Sequence, residues 1–307
     1  MILVFAISDK GGTGRSVTSA NILYRSSLAG RNVCYLDFDF GSPTAGTILH
    51  VDEVGRGTNT RTGLHSYLLG RTDQPHEVDV WSETDRSELR NWPPNAGRLV
   101  LLPGDRNGGE FAANSDVVER CVRLFNRLKE DYDVCLVDLS AGRSYAAQIA
   151  LAATAHEKLL PGMTARWLVF HRWTRQHIVA ASALWQGAHG IVDTGRRLGH
   201  NDHVLANMVR FVRTAVVNPN SEQVNVLRAA QVAFLLRADE VLRGLAHREG
   251  VGTTNVLGQV PLEPLLQWRE QLITDSDVER EIANPETVEA FHDLSVNVID
   301  DAMWEGL

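Results

Sequence analysis

The chain has 307 residues, 44% hydrophobic and 22% charged, with a formal net charge of -8. That balance is ordinary for a globular chain with a large core; it excludes wholesale disorder and fibrous architectures, and an acidic chain is no generic polyanion binder. No apolar run approaches the ~18–20 residues that cross a bilayer. Three scattered cysteines (Cys34, Cys121, Cys135) form no CxxC pair, which predicts a reducing compartment and excludes a disulfide framework or a cysteine-built zinc site. An N-terminus with no basic region or cleavage site adds to the expectation of a cytoplasmic protein.

Taken in chain order, ILVFAIS is a short apolar run that enters a Lys-Gly-Gly turn, as a buried parallel strand does. SVTSANILYRSSLAG reads as a helix with Gly30 as its stop, and NVCYLDFDF as a second strand ending in carboxylates. Residues 52–96 carry weaker patterning, with GLHSYLLG as one short helix, and are expected to be an elaborated connection. RLVLLPG is a third strand, SDVVERCVRLFNRLKEDY a strongly amphipathic helix and DVCLVDLSAG a fourth strand. RWLVFHRW and HVLANMVRFV are further strands, separated by a helix near residues 175–189. A long helix (or two short ones) spans SEQVNVLRAAQVAFLLRADEVLRGLAHREG, TNVLGQVP is the last strand and PLLQWREQLI the helix after it. Alternating strands and helices predict a three-layer, doubly wound α/β fold with a mostly parallel sheet and helices on both faces. No linker divides the chain, so residues 1–307 are expected to form one domain.

The chemistry concentrates at Ser8-Asp9-Lys10-Gly11-Gly12-Thr13-Gly14-Arg15-Ser16. A glycine-rich turn between strand and helix lets consecutive backbone N–H groups wrap phosphate oxygens, and the helix dipole favours the anion. A following hydroxyl, here Ser16, suits Mg²⁺. The general pattern G-x-x-x-x-G-K-[ST] is not met, because Asp9 replaces its first glycine and Arg15 its lysine.

KGGTGRS nevertheless resembles the deviant Walker A motif K-G-G-x-G-K-[ST] of the ParA/MinD family of P-loop ATPases. LDFDFGSPT resembles that family's D-x-D strand end, YDVCLVDLSAG its Walker B strand, and VLGQVPLEP its v-l-G-x-i-P-x-d segment, while Asn207 stands for the asparagine after its penultimate core strand. The resemblance implies a P-loop ATPase fold that binds ATP with Mg²⁺ and dimerises on ATP. It implies that Lys10 reaches the partner's phosphates, much as an arginine finger does, and that Gly11, Gly12, Thr13 and Gly14 form the backbone cradle. Arg15 and Ser16 would complete the phosphate contacts. Asp39 would orient the attacking water. Ser16, Asp37 and Asp138 would serve the metal, Asn207 would read the adenine edge, and the backbone at Pro261 would pack on the base.

Arg15 is the departure. Only three of the 30 basic residues are lysine (Lys10, Lys129 and Lys158), so arginine-rich composition alone accounts for an arginine here. A planar, permanently charged guanidinium is nonetheless not interchangeable with an ammonium at a tight phosphate site. Two readings follow: ATP binding with slow or conditional hydrolysis, or a non-hydrolysing, nucleotide-dependent interaction module. The resemblance further implies a role in positioning or partitioning an unidentified cargo or partner. Arg210, Arg213, Arg228, Arg237, Arg243 and Arg248 are interleaved with acids and are expected to be solvated helix surface more than a DNA patch. Val288, Phe291, Leu294, Val298 and Met303 form an apolar stripe with mostly acidic neighbours, which predicts docking on the core and makes membrane binding unlikely. HRWTRQH, with His171 and His177, is expected to be a surface or dimer contact.

Overall fold

A computed structural model describes residues 1–90, 93–218, 221, 224 and 227–305. Its strands and principal helices are β1 (Ile2–Ile7), α1 (Arg15–Leu28), β2 (Val33–Phe38), β3 (Val78–Asp79), β4 (Leu99–Leu102), α2 (Ser115–Asp131), β5 (Val134–Leu139), α3 (Tyr145–Thr154), β6 (Thr164–Arg172), α4 (Arg175–Gln186), α5 (Ile191–Arg197), α6 (Asp202–Asn207), β7 (Val209–Val216), α7 (Ala229–Arg248), β8 (Val256–Pro261) and α8 (Pro285–Asn297). The strands form one eight-stranded sheet in the order β3-β4-β2-β5-β1-β6-β7-β8. Every pair is parallel except β3 with β4.

The near-continuous apolar strands are explained by burial on both sides. In β1, Leu3, Phe5 and Ile7 enter the core layer that also holds Leu124, Phe125 and Ile149, while Val4 and Ala6 face the opposite layer with Ile22 and Leu23. Phe5 stacks on Trp167 of β6 with ring centroids 4.7 Å apart. Helix α2 shows why its period was legible: Val117, Val118, Cys121, Leu124, Phe125 and Leu128 are all buried, and Asn114 caps it by accepting from the Val117 amide at 3.0 Å.

The stretch 52–96 supplies the antiparallel edge strand β3, which sequence patterning passed over because it has two residues. Helices α3 and α5 were also missed. HVLANMVRFV is not one strand: α6, capped by Asn201, takes its first half, and β7 begins only at Val209. PLLQWREQLI yields only a five-residue helix, Pro264–Trp268.

The C-terminal stripe does dock on the core, on α1 and β8, with Phe291, Leu294 and Val298 fully buried. Met303 lies outside it, in a 3-10 turn. That turn is pinned by Trp304, which lies between two sheet arginines, Arg166 and Arg210, with guanidinium carbons 4.9 and 5.4 Å from its ring centroid. Among the described residues, no helix is long and apolar enough to cross a membrane.

Candidate functional site

Parallel topology gathers the C-terminal ends of β1, β2 and β5 at one edge of the sheet, where open α/β folds bind ligands. The turn after β1 leads directly into α1. Gly12 and Gly14 have φ of 70° and 74°, a left-handed conformation that side chains disfavour. Gly14 is the N-cap of α1 and supplies no side chain to it; the first-turn amides are left for an anion. The turn is braced from three sides. Ser8 O accepts from the Gly142 amide at 2.7 Å, Asp9 pairs with Arg143 at 2.9 Å, and the Thr214 hydroxyl of β7 donates to Thr13 O at 2.5 Å.

Lys10 projects into solvent and forms no ion pair among the described residues. It lies near His177, whose pKa is lowered by burial and then by the Lys10 charge. Arg15 points the other way, into the protein, and is 6% exposed. Its Nε donates to Asp138 Oδ1 at 2.5 Å, while its terminal nitrogens contact Asp39 Oδ2 at 3.2 Å, Ser16 Oγ at 3.4 Å and Ser8 Oγ at 3.5 Å. Burial opposes the guanidinium charge, but Asp138 and Asp39 more than offset it, so the Arg15 pKa is raised and the group stays cationic.

The other oxygen of Asp138 accepts from the Tyr35 hydroxyl at 2.6 Å. Asp37 sits directly opposite Asp138 in the β2–β5 register and accepts the Asp39 amide at 3.3 Å and the Ala45 amide at 3.1 Å. Burial, reinforced by Asp138, raises the Asp37 pKa well above the usual carboxylate range. Burial also raises that of Asp39, against the pull of Arg15.

The expected magnesium ligands Ser16, Asp37 and Asp138 therefore do converge, but as arranged they do not fit a resident divalent ion. Both oxygens of Asp37 and both of Asp138 are already hydrogen-bonded, and a guanidinium stands among them. Among the described residues, no group of three His, Cys, Asp or Glu side chains is disposed to hold a metal.

A cleft of about 280 Å³ opens beside the turn. Gly12, Thr13, Gly14, Val17 and Thr18 form one wall, and Val260, Pro261, Leu266 and Trp268 the other, with Arg172 and Arg269 also lining it. Trp268, 80% exposed, is a flat apolar surface that sequence reading missed. Pro261 is thus on the wall facing the turn.

Asn207 is not. It ends α6 at the opposite edge of the sheet, where its carbonyl accepts from Arg210. The chain needs seven residues, roughly 20 Å of strand, to travel from it to Thr214 beside the turn. Asn218, just beyond the C-terminal end of β7 and lining a neighbouring cleft with Pro261, lies at the same edge as the turn.

HRWTRQH divides: Thr174, Arg175 and Gln176 are exposed, whereas its first residues turn inward. His171 is buried in β6 against Phe211, and burial lowers its pKa to about 4. Trp173 donates to Asp239 of α7 at 2.7 Å and carries the Arg213 guanidinium 4.1 Å above its ring. The segment binds β6, β7 and α7 together. Two of the six arginines considered for DNA are drawn into the body of the protein, Arg213 by Trp173 and Arg210 by Trp304 and the Met303 carbonyl, and Arg228, Arg237, Arg243 and Arg248 remain exposed on α7 or at its N-terminus.

The sequence profile of the CobQ/CobB/MinD/ParA nucleotide binding domain matches residues 4–261. A septum site-determining protein MinD from Synechocystis is 24% identical over 143 residues, 46% of this chain and 45% of that protein, so the match spans about half the curated relative. Among solved structures, the MinD cell division protein of Aquifex aeolicus superposes with a TM-score of 0.56 at 17% identity, covering 100% of this chain and 98% of that one. Pyrococcus horikoshii MinD, described as complexed with Mg-ADP, gives 0.55 at 16% identity and 98% coverage of both chains.

Proposed function

The chain belongs to the CobQ/CobB/MinD/ParA nucleotide-binding family, and from that premise we propose that it is an ATP-binding protein that dimerises on nucleotide and hydrolyses it slowly or conditionally, in the service of positioning or partitioning a cargo. The observation that carries this reading is the left-handed glycine turn at the uncapped N-terminus of α1, opening onto the cleft walled by Pro261 and Trp268. The turn amides receive the phosphates, the cleft takes the adenosine end, and exposed Lys10 is free to meet phosphate on a second subunit. In nucleotide positioning, Asn218 replaces Asn207 as the candidate for the base edge. Asp39, partly exposed beside the turn, orients the attacking water.

Slow turnover follows from where the charges sit. The Arg15 guanidinium is tied to Asp138 and touches Asp39, so it must reorient before it can follow charge developing on a transferring phosphoryl group. The same contact favours the second reading, a nucleotide-dependent interaction module without turnover. Purified protein given ATP separates the two. Phosphate release that falls in Asp39→Ala and rises in Arg15→Lys supports slow hydrolysis. ATP-dependent dimers by light scattering without phosphate release support the module. Absence of nucleotide binding in calorimetry rejects both.

A further inference from the structure

The Ser16 hydroxyl and the Asp39 and Asp138 carboxylates form the floor under the turn, and one buried side chain already spans all three. We infer that the Arg15 guanidinium is the resident cation of this site, so that the protein binds the metal-free form of a nucleoside di- or triphosphate, with no requirement for Mg²⁺. The inference rests on the nucleotide-binding reading above and adds which ionic form of the ligand is taken.

The geometry separates the two edges of the guanidinium. Its Nε is committed to Asp138 at 2.5 Å, and the remaining Asp138 oxygen is closed by Tyr35 at 2.6 Å. The terminal nitrogens are held loosely, at 3.2–3.5 Å, by Asp39, Ser16 and Ser8. A planar fork with five donors can keep one edge on a carboxylate and turn the other to phosphate oxygens, which a lysine ammonium cannot do with the same geometry. That bridge between protein carboxylates and phosphate is the role a divalent ion otherwise fills, and a second cation entering the same oxygens would meet a fixed positive charge at contact distance. The first-turn amides of α1 lie on the phosphate side and complete the anion's contacts.

The test compares the dissociation constant of a fluorescent ADP analogue, and of ATP by calorimetry, in magnesium chloride and in EDTA. Wild type is expected to bind more tightly in EDTA than in magnesium chloride, most clearly for ATP, because magnesium sequesters the metal-free ligand, whereas Arg15→Lys is expected to weaken by about tenfold or more when magnesium is removed. A wild-type affinity that collapses in EDTA overturns the inference and leaves the nucleotide-binding reading standing; binding in neither condition overturns both. Because Arg15→Lys can fail to fold, a second measurement uses wild type alone. In electron paramagnetic resonance with Mn²⁺ as the probe, the free-ion signal over a mixture of nucleotide and protein is expected to rise as the protein takes nucleotide away from the metal. Loss of that signal on adding protein, in proportion to bound nucleotide, rejects the resident-cation role.

Discussion

Exchanging Arg15 for methionine removes the guanidinium while keeping most of the side chain's length. Asp138, 2% exposed, is then left, among the described residues, with the Tyr35 hydroxyl as its strong partner, opposite Asp37 in the neighbouring strand. Removing one member of a buried ion pair costs roughly 3–5 kcal/mol, because a charge stays behind without compensation. The Tyr35 hydrogen bond and the 28% side-chain exposure of Asp39 place Arg15→Met near the lower end, about 3 kcal/mol. The sign of the pH dependence follows from linkage. Burial already raises the folded-state pKa of Asp39 against the pull of Arg15; without that cation it rises further above the unfolded value of about 3.9, so the folded variant binds protons more readily than its unfolded chain. A carboxyl with a raised folded pKa costs stability at high pH and recovers it as the pH falls through that pKa. The deficit is therefore largest near about pH 8 and shrinks towards about pH 5. Urea denaturation followed by tryptophan fluorescence measures it, and the double variant Arg15→Met/Asp138→Asn is expected to recover part of the loss, since it removes the stranded charge. A single-variant deficit below about 1 kcal/mol at both pH values, or one that grows on acidification, refutes a buried Arg15–Asp138 pair.

Gly14→Ala forces a left-handed φ of 74° on a residue with a Cβ and is expected to cost about 1–2 kcal/mol in the urea midpoint while weakening nucleotide binding; a variant indistinguishable from wild type shows that the turn relaxes in solution. Trp268→Ala should leave stability unchanged, the side chain being 80% exposed, but lower affinity for the fluorescent ADP analogue about fivefold through the loss of an aromatic wall; an unaltered constant moves the base elsewhere. His50 and His171 both have pKa values lowered to about 4 from 6.5, chiefly by burial. The unfolded chain takes up their protons first, so stability present above about pH 6.5 is lost as the pH falls towards about 4, at up to about 1.4 kcal/mol per pH unit for each histidine. His171→Phe, in a site where Nε2 has no hydrogen-bond partner, should reduce that slope, and an unchanged slope assigns the acid loss to other groups.

Much of this architecture was legible because its signals are local. A both-faces-buried strand must be apolar along its length, and a helix packed on one side must repeat at helical spacing, so β1, β2, β5 and α2 announce themselves. The glycine turn did so because the left-handed backbone at Gly12 and Gly14 tolerates few other residues. Where the local signal was mixed, the reading slipped. HVLANMVRFV is apolar enough for a strand, yet Asn201 accepts from the Val204 amide and starts a helix turn, which leaves Asn207 at the sheet edge away from the glycine turn. Trp268 and Tyr35 carried no signal of their own, because an aromatic residue in a helix or strand reads as core until its neighbours are known.

From the order of its residues alone, this chain already specified a parallel α/β sheet, a phosphate-shaped turn and two carboxylate-tipped strands, since each depends on backbone preference and periodicity within a few positions. The direction taken by each charge was settled only by folding. Lys10 in the turn and Arg15 at the start of α1 stand five residues apart, yet one faces water and the other is drawn inward by Asp138 and Asp39 at the ends of two separate strands. No short-range pattern encodes that choice; it is the electrostatic outcome of bringing distant carboxylates to the same sheet edge.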